Sequence, residues 1–451
     1  MNDTRSIIDW ICAEEKHLIA LSQKVWQWAE EGLQEHQSAR LIADELVKIG
    51  FSVERGVAGM PTAFTASYGL DRPFIGLLAE YDALPGLSQK TVPQPEPLQE
   101  GGAGHGCGHN LLGIGSLAAA GAIKYILERK KASGTVKLFG TPGEEILTGK
   151  VLMAKEGLFK GLDAVITWHP WDENTVWGGS SLAVNSVKFR FQGIAAHAAF
   201  SPEKGRSALD AVELMNIGVN YLREHISPEA RVHYVITKGG EAPNIVPPLA
   251  EVWYYIRAPK RTQVEEIYTR IVDIAKGAEL MTGTTVEIGF ISGCYELLSN
   301  QALANLIYSN FEKVGPPQFS DEEEKFAVML AESLGIQSKE VLDSCLHPPN
   351  PGFVLPGSTD LGDLSWIAPA ANLAVASWPR GVVPHSWQAC ASAGMGIGFK
   401  AMIVAAKVLA LTAWDLLSCP EELARIGADF NKATTGFEYK SPLPTQKKTT
   451  I

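Results

Sequence analysis

Between residues 4 and 30 the apolar side chains Ile7, Ile8, Ile11, Leu18 and Leu21 recur at helical spacing, with polar residues between them. That period predicts an amphipathic helix whose apolar stripe faces a core. Short apolar runs at 63–68 and 74–79 predict strands, and the longer apolar stretch 111–129 predicts a helix. A strand at 136–140, a helix near 149–156 and a strand at 164–168 follow. Strands alternating with helices predict an α/β layer built on a mostly parallel sheet.

From about residue 182 the order changes. A strand at 184–192, a helix at 207–225 and strands at 232–237 and 250–256 come first, then a helix at 263–280 and a strand at 285–291. This β-α-β-β-α-β run is the split, ferredoxin-like arrangement, compact enough to form a domain by itself. Beyond it lie further helices, a proline-rich stretch at 347–356, an apolar strand at 372–376 and a long helix after Cys390. The expected organisation is a discontinuous α/β main domain, 1–183 and 297–451, interrupted by an inserted α+β lid domain, 184–296.

Length agrees with this division, since 451 residues exceed what one simple core holds. A formal net charge of −11 leaves no broad basic face for nucleic acid or anionic lipid. A local basic pocket for a carboxylate-bearing substrate stays open. The first residues, MNDTRSIIDWICAEEKH, carry acids where a signal peptide needs a basic start and an apolar run. The most apolar segments, 111–127 and 395–417, are broken by Lys124 and by Lys400 and Lys407. They read as buried helices rather than membrane spans. The six cysteines, at 12, 107, 294, 345, 390 and 419, form neither a CxxC pair nor a disulfide-like framework. A reducing, cytoplasmic setting is expected.

Candidate chemistry concentrates in GGAGHGCGHN at 101–110, between the strand that runs into Glu80-Tyr81-Asp82 and a long apolar helix. Cys107 and His109 stand two apart in an extended turn, so both side chains can face one side. Thiolate and imidazole suit borderline-soft divalent metals. Taken alone, a glycine-rich loop with an incidental Cys and His explains the spacing equally well. Glu144-Glu145 follow the strand at 136–140; one carboxylate can bind metal while the other meets a water. The ordinary alternative is two exposed acids favouring a helix N-terminus. His169 follows the strand at 164–168, and His385 precedes a helix rich in Ala and Gly. A lone His is commonly structural, but strand ends of an open α/β sheet converge on one crevice. Together the residues suffice for a two-metal site with open positions for water. Trp168, Trp171, Trp177 and Trp387 flank them, available for stacking on a flat acyl group or for core filling.

The motifs Glu80-Tyr81-Asp82-Ala-Leu-Pro, His-Gly-Cys-Gly-His, Gly-Glu-Glu, Trp-His-Pro, Gly-Ile-Ala-Ala-His-Ala-Ala and Ala-Pro-Asn-Ile-Val-Pro occur in this order along nearly the whole chain. The set resembles the amidohydrolase branch of the dinuclear metallo-aminoacylase and carboxypeptidase family. Within it, the aminobenzoyl-glutamate utilization group looks nearest, and indole-3-acetyl-aspartate hydrolases are similar. The resemblance implies two divalent metal ions, manganese or zinc, held by Cys107, His109, Glu145, His169 and His385. It makes Glu144 the general base and gives Asp82 the task of orienting a ligand. It places His197 at the reacting carbonyl and Asn244 and Arg257 at the substrate carboxylate, where the planar guanidinium fork has a use that Lys lacks. It further implies a homodimer through the lid domain, or pairing with a homologous second subunit.

Glu80 departs from the wider family, which has a metal-binding His there; the branch that uses Cys107 shares this loss. Asn110 replaces the Asp that usually follows Cys-Gly-His in auxin-conjugate and hippurate hydrolases. The expected reaction is hydrolysis of an N-acyl amino acid, with N-acyl-glutamate or N-acyl-aspartate first and p-aminobenzoyl-glutamate as the leading candidate. Alternatives are an indole-3-acetyl-aspartate hydrolase and a dipeptidase for unusual dipeptides. In a different class stands a non-catalytic binding or regulatory subunit of the same fold.

Overall fold

A computed structural model describes residues 3–444. The chain divides into two compact units. The first runs from Asp3 to Ser180 and resumes at Leu298–Phe353 and Leu364–Tyr439; the second holds Ser181–Leu297, Val354–Asp363 and, among the described residues, 440–444. Val354–Asp363, which the linear pattern assigns to the main domain, joins the second unit through hydrogen bonds. The Leu182 N–H donates to the Gly357 carbonyl at 2.9 Å, and the Tyr295 N–H donates to Asp363 at 3.0 Å.

The first unit begins with α1 (Asp3–Trp28), α2 (His36–Lys48), β1 (Ser52–Arg55), β2 (Phe64–Tyr68) and β3 (Phe74–Ala79). It continues with α3 (His109–Lys130), β4 (Thr135–Gly140), α4 (Gly149–Lys155), β5 (Ala164–Trp171) and β6 (Thr175–Trp177). The α1 stripe is realised as expected: Ile7, Ile11, Leu18, Leu21 and Val25 are all buried. The second unit contributes β7 (Ala183–Gln192), α5 (Ala208–Leu222), β8 (Arg231–Lys238), β9 (Leu249–Ala258), α6 (Arg261–Thr282) and β10 (Thr285–Cys294). The chain closes with α7 (Gln301–Val314), α8 (Asp321–Glu332), α9 (Leu361–Ser365), β11 (Ala370–Ala376), α10 (Trp387–Ala393), α11 (Gly396–Ser418) and α12 (Pro420–Ala433).

The first unit is built on a seven-stranded sheet in the order β1-β2-β4-β3-β5-β11-β6. Its centre, β4-β3-β5-β11, is parallel, while β1, β2 and β6 pair antiparallel at the edges. Strands buried on both faces need continuous apolar sequence, and Ala370–Ala376 is buried at every position. Helices α1, α3 and α11 contact one another and share one core with the sheet. Two of them, α3 and α11, are long and apolar enough to cross a membrane, yet 89% and 78% of their most apolar windows are buried within the fold. An all-round apolar helix is what an inner layer demands.

Two local expectations are corrected, and one helix joins the elements read from the sequence. His169 lies inside β5 rather than beyond it, because β11 keeps pairing as far as Ala376 with Trp171. The long helix after Cys390 is two helices, with Cys390 inside the first. They break at Gly394, where a Cβ would stand 2.5 Å from the Trp26 ring. Helix α2 begins under the Glu30 carboxylate, which accepts from the Gln37 and Ser38 N–H groups, each at 2.9 Å. This cap comes from outside the usual N-cap position, and no motif announces it.

The second unit is a four-stranded antiparallel sheet in the order β10-β7-β9-β8. Val187, Phe189 and Phe191 of β7 alternate inward, together with Val252, Tyr254 and Ile256 of β9. Helices α5 and α6 cover that face with Val212, Met215, Ile267 and Ile271. The element order is the β-α-β-β-α-β run read from the sequence.

Candidate active site

The parallel strands deliver their chemistry at one edge. Ala79 at the end of β3 is in register with Gly140 at the end of β4. The chain therefore leaves both strands at the same level, into Glu80–Asp82 and into Thr141–Glu145. Within β5, His169 is in register with Ala374 of β11. This is the edge where open α/β sheets place their sites.

Asp82 organises the centre. It is buried, and its Oδ1 accepts from His109 Nδ1 at 2.8 Å while its Oδ2 accepts from the Glu145 N–H at 2.9 Å. One carboxylate thus orients an imidazole and a neighbouring backbone together. Burial alone would raise the Asp82 pKa, but His109 and the Glu145 N–H outweigh it and hold the carboxyl below its ordinary value. Donating from Nδ1 leaves His109 Nε2 as the free ring atom. That atom is buried without a hydrogen-bond partner and lies 3.2 Å from Glu80 Oε2. Burial opposes charge on His109, yet Asp82 and Cys107 together push its pKa well above the ordinary value. The field at Nε2 favours a positive charge.

Cys107 Sγ lies 3.5 Å from His169 Nε2. The other His169 nitrogen, Nδ1, donates to the Pro170 carbonyl at 2.6 Å, so Nε2 presents its lone pair towards the thiol. Burial, then His109, pushes the His169 pKa down to about 4, and the ring is neutral near pH 7. Burial and the Glu145 carboxylate push the Cys107 thiol well up. His385 Nε2 stands 3.1 Å from Glu145 Oε2, while Glu145 Oε1 is a second buried atom without a partner. His385 adopts a φ of 64°, a left-handed conformation uncommon outside glycine, and its N–H donates to the Gly106 carbonyl at 2.9 Å. Strain of this kind concentrates at functional sites.

These donors form three overlapping groups: Cys107, His109 and His169; Cys107, Glu145 and His385; and Glu80, His109 and Glu144. Within each group the candidate ligand atoms lie within 4.8 Å of one another. The structure thus brings together Cys107, His109, Glu144, Glu145, His169 and His385, with Asp82 behind them. Thiol, imidazole and carboxylate around orphaned buried atoms are the donor set that a pair of divalent cations fits.

Sequence reasoning overlooked two members. Glu80 sits in the cluster, and its Oε1 accepts from Lys150 Nζ at 2.9 Å, with that lysine fully buried. The Glu-x-Asp spacing was a signal for Glu80, since it puts both carboxylates at one strand end. Nothing in the sequence singled out Lys150. Among the tryptophans, Trp168 is fully buried and donates to the Leu112 carbonyl, so it fills the core. Trp177 stacks on His169 with ring centroids 5.5 Å apart, and Trp171 meets Trp177 edge-on at 5.3 Å.

His197, Asn244 and Arg257 belong to the second unit. The Ala198 N–H donates to the Asn244 carbonyl at 3.0 Å, which places His197 and Asn244 side by side. His197 is exposed, and its Nδ1 accepts from the N–H groups of Ala199 and Phe200, each at 3.2 Å. The proton of the neutral ring therefore resides on Nε2, ready to donate. Arg257 lies on β9 over the Tyr255 ring, and its buried Nε has no hydrogen-bond partner.

A parallel-sheet edge bearing these clustered donors is the mark of a hydrolase of the metallopeptidase type. The chain belongs to peptidase family M20/M25/M40, whose pattern matches residues 76–356. It is 40% identical to one of the subunits of the p-aminobenzoyl-glutamate hydrolase of Escherichia coli, over 98% of this chain and 97% of that protein. It is 31% identical to the Xaa-Arg dipeptidase of Homo sapiens, over 93% of this chain and 90% of that protein. The crystal structure of the aminobenzoyl-glutamate utilization protein from Klebsiella pneumoniae shares the fold. The TM-score is 0.62 over 90% of this chain and 97% of that one, at 17% identity.

Proposed function

We propose that this enzyme hydrolyses the amide bond of N-acyl amino acids, with N-acyl-glutamate or N-acyl-aspartate as substrate class and p-aminobenzoyl-glutamate as the leading member. The observation that carries the reading is the convergence of Glu144 with the Cys107, His109, Glu145, His169 and His385 donors at one sheet edge. The extent of the similarity to the Escherichia coli hydrolase supports it.

Cys107, His109, Glu145, His169 and His385 would hold two divalent ions, manganese or zinc. When bound, such ions polarise the amide carbonyl and make water acidic enough to attack at neutral pH. Glu144 takes the proton of the attacking water and delivers it to the leaving amine nitrogen. Asp82 keeps the His109 ring and the Glu145 backbone in place throughout. His197, protonated on Nε2, donates to the oxyanion, and Arg257 and Asn244 recognise the substrate carboxylate. The partnerless Arg257 Nε supports that last assignment.

We further propose that the second unit mediates pairing with a second copy or a homologous subunit. Its edge strand β8 exposes Val235 and Ile236. Free thiols at all six cysteines support a cytoplasmic setting. The test is turnover by protein reconstituted with Mn²⁺ or Zn²⁺ on p-aminobenzoyl-glutamate, indole-3-acetyl-aspartate and a dipeptide with C-terminal Arg. The highest kcat/KM is expected on the first. A clear preference for the Arg dipeptide would shift the assignment to the dipeptidase reading that the human relative suggests.

A further inference from the structure

The stretch 29–35 passes between the two segments that carry the carboxylates of the site. On one side the Ala83 N–H donates to the Glu30 carbonyl at 2.8 Å, and Glu31 bridges Ala83. On the other, Gly32 lies so close that a Cβ on it would meet Gly143 Cα at 3.1 Å and the Ile146 side chain at 3.3 Å. From this stretch the fully buried Glu35 reaches Gly143, whose N–H donates to Oε1 at 2.8 Å; Oε2 has no partner. Asp82 Oδ2 accepts the Glu145 N–H at 2.9 Å. Glu144 is thus flanked by two backbone amides, each tethered to a different buried carboxyl group.

We propose that Glu35 is a positioning residue for Glu144, holding the Gly143 N–H so that, with Asp82 on Glu145, the backbone presents the Glu144 carboxylate in one place. The proposal rests on the reading of Glu144 as the base. Gly143 has a φ of +65°, in the region where glycine moves freely, so this joint needs an external restraint. Without its acceptor the buried N–H is left unsatisfied and the loop shifts to find another partner. A base displaced by about 1 Å costs about 100-fold in rate. Burial, then Asp82, pushes the Glu35 carboxyl up to about 7, leaving Asp82 as the charged member of the two. The neutral carboxyl still accepts from Gly143, so glutamine reproduces it and methionine, of similar volume, does not.

The experiment compares wild type, Glu35→Gln, Glu35→Met and Glu144→Gln on the best substrate of the panel above. It adds elemental analysis of bound metal and hydrogen exchange of the peptide spanning 141–148. Glu35→Met is expected to lower kcat about 10- to 100-fold, with KM within about 3-fold. Metal content should stay unchanged and exchange around Gly143 should quicken. Glu35→Gln is expected to keep both kcat and protection near wild type. Wild-type kcat in Glu35→Met, equal damage in Glu35→Gln, or loss of metal in step with loss of kcat would each overturn the proposal. If Glu35→Met does not fold, Glu35→Asp withdraws the acceptor by one methylene and is read by the same criteria. Full activity in Glu144→Gln would sink the base assignment itself, whereas an inactive Glu144→Gln beside an intact Glu35→Met sinks only the role of Glu35.

Discussion

Glu35 and Asp82 show how two buried carboxyl groups divide their work. Asp82 accepts from His109 and from a backbone N–H and stays ionised, while Glu35 carries the proton. The Glu35 pKa is raised by burial and by Asp82 from 4.5 to about 7. Between those values the folded state holds a proton that the unfolded state has released, so stability falls as pH rises through this window. Glu35→Gln removes the effect. The melting temperature of the variant relative to wild type should therefore rise between pH 5 and pH 8, as thermal melts at the two pH values will show. A difference that shrinks with rising pH would contradict the assignment. Cys107, His109 and the Glu144-Glu145 pair were legible at this scale because each is a donor type standing beside another in a short run, at the start of α3 or just after β4. Glu35 was not, since its partner lies 108 residues away.

At the scale of elements, the turn between Cys107 and His109 decides whether both can serve one site. Gly108 closes it with a φ of +74° at the start of α3, and a Cβ there would stand 2.9 Å from the Pro170 ring. Gly108→Ala combines left-handed strain with a clash against rigid β5. It should cost on the order of 1–3 kcal/mol and lower bound metal, measured by denaturant unfolding and elemental analysis. An unchanged midpoint with full metal content would count against this account. Strands β2, β3 and β4 were readable because apolar runs in a buried sheet have little other use. The reach of β5 to Trp171 was not, because pairing with β11, from the far end of the chain, sets it.

Over the whole molecule, Glu80, Asp82, Glu144 and Glu145 crowd one sheet edge, offset by the buried Lys150 and by His109. Like charges gathered in a poorly solvated place destabilise the fold unless cations join them. Dialysis against a chelator should therefore lower the melting temperature, and Mn²⁺ or Zn²⁺ should restore it in a concentration-dependent way. Calorimetry that finds one melting temperature with and without metal would refute this coupling.

The amino-acid sequence alone displayed strands β2, β3 and β4, the apolar helices α1 and α3, the ferredoxin-like order of the second unit, and Cys107, His109, Glu144, Glu145, His169 and His385 as candidate donors. Periodicity and local donor chemistry are properties of neighbouring residues, and the sequence displays them directly. Only the tertiary structure decided that Glu80 joins the cluster, that buried Lys150 pairs with it, that Glu35 holds Gly143, and that Val354–Asp363 belongs to the second unit. Each of these is a contact between residues distant in the chain. Such contacts exist only once the sheet brings its strand ends together, and no local pattern encodes them.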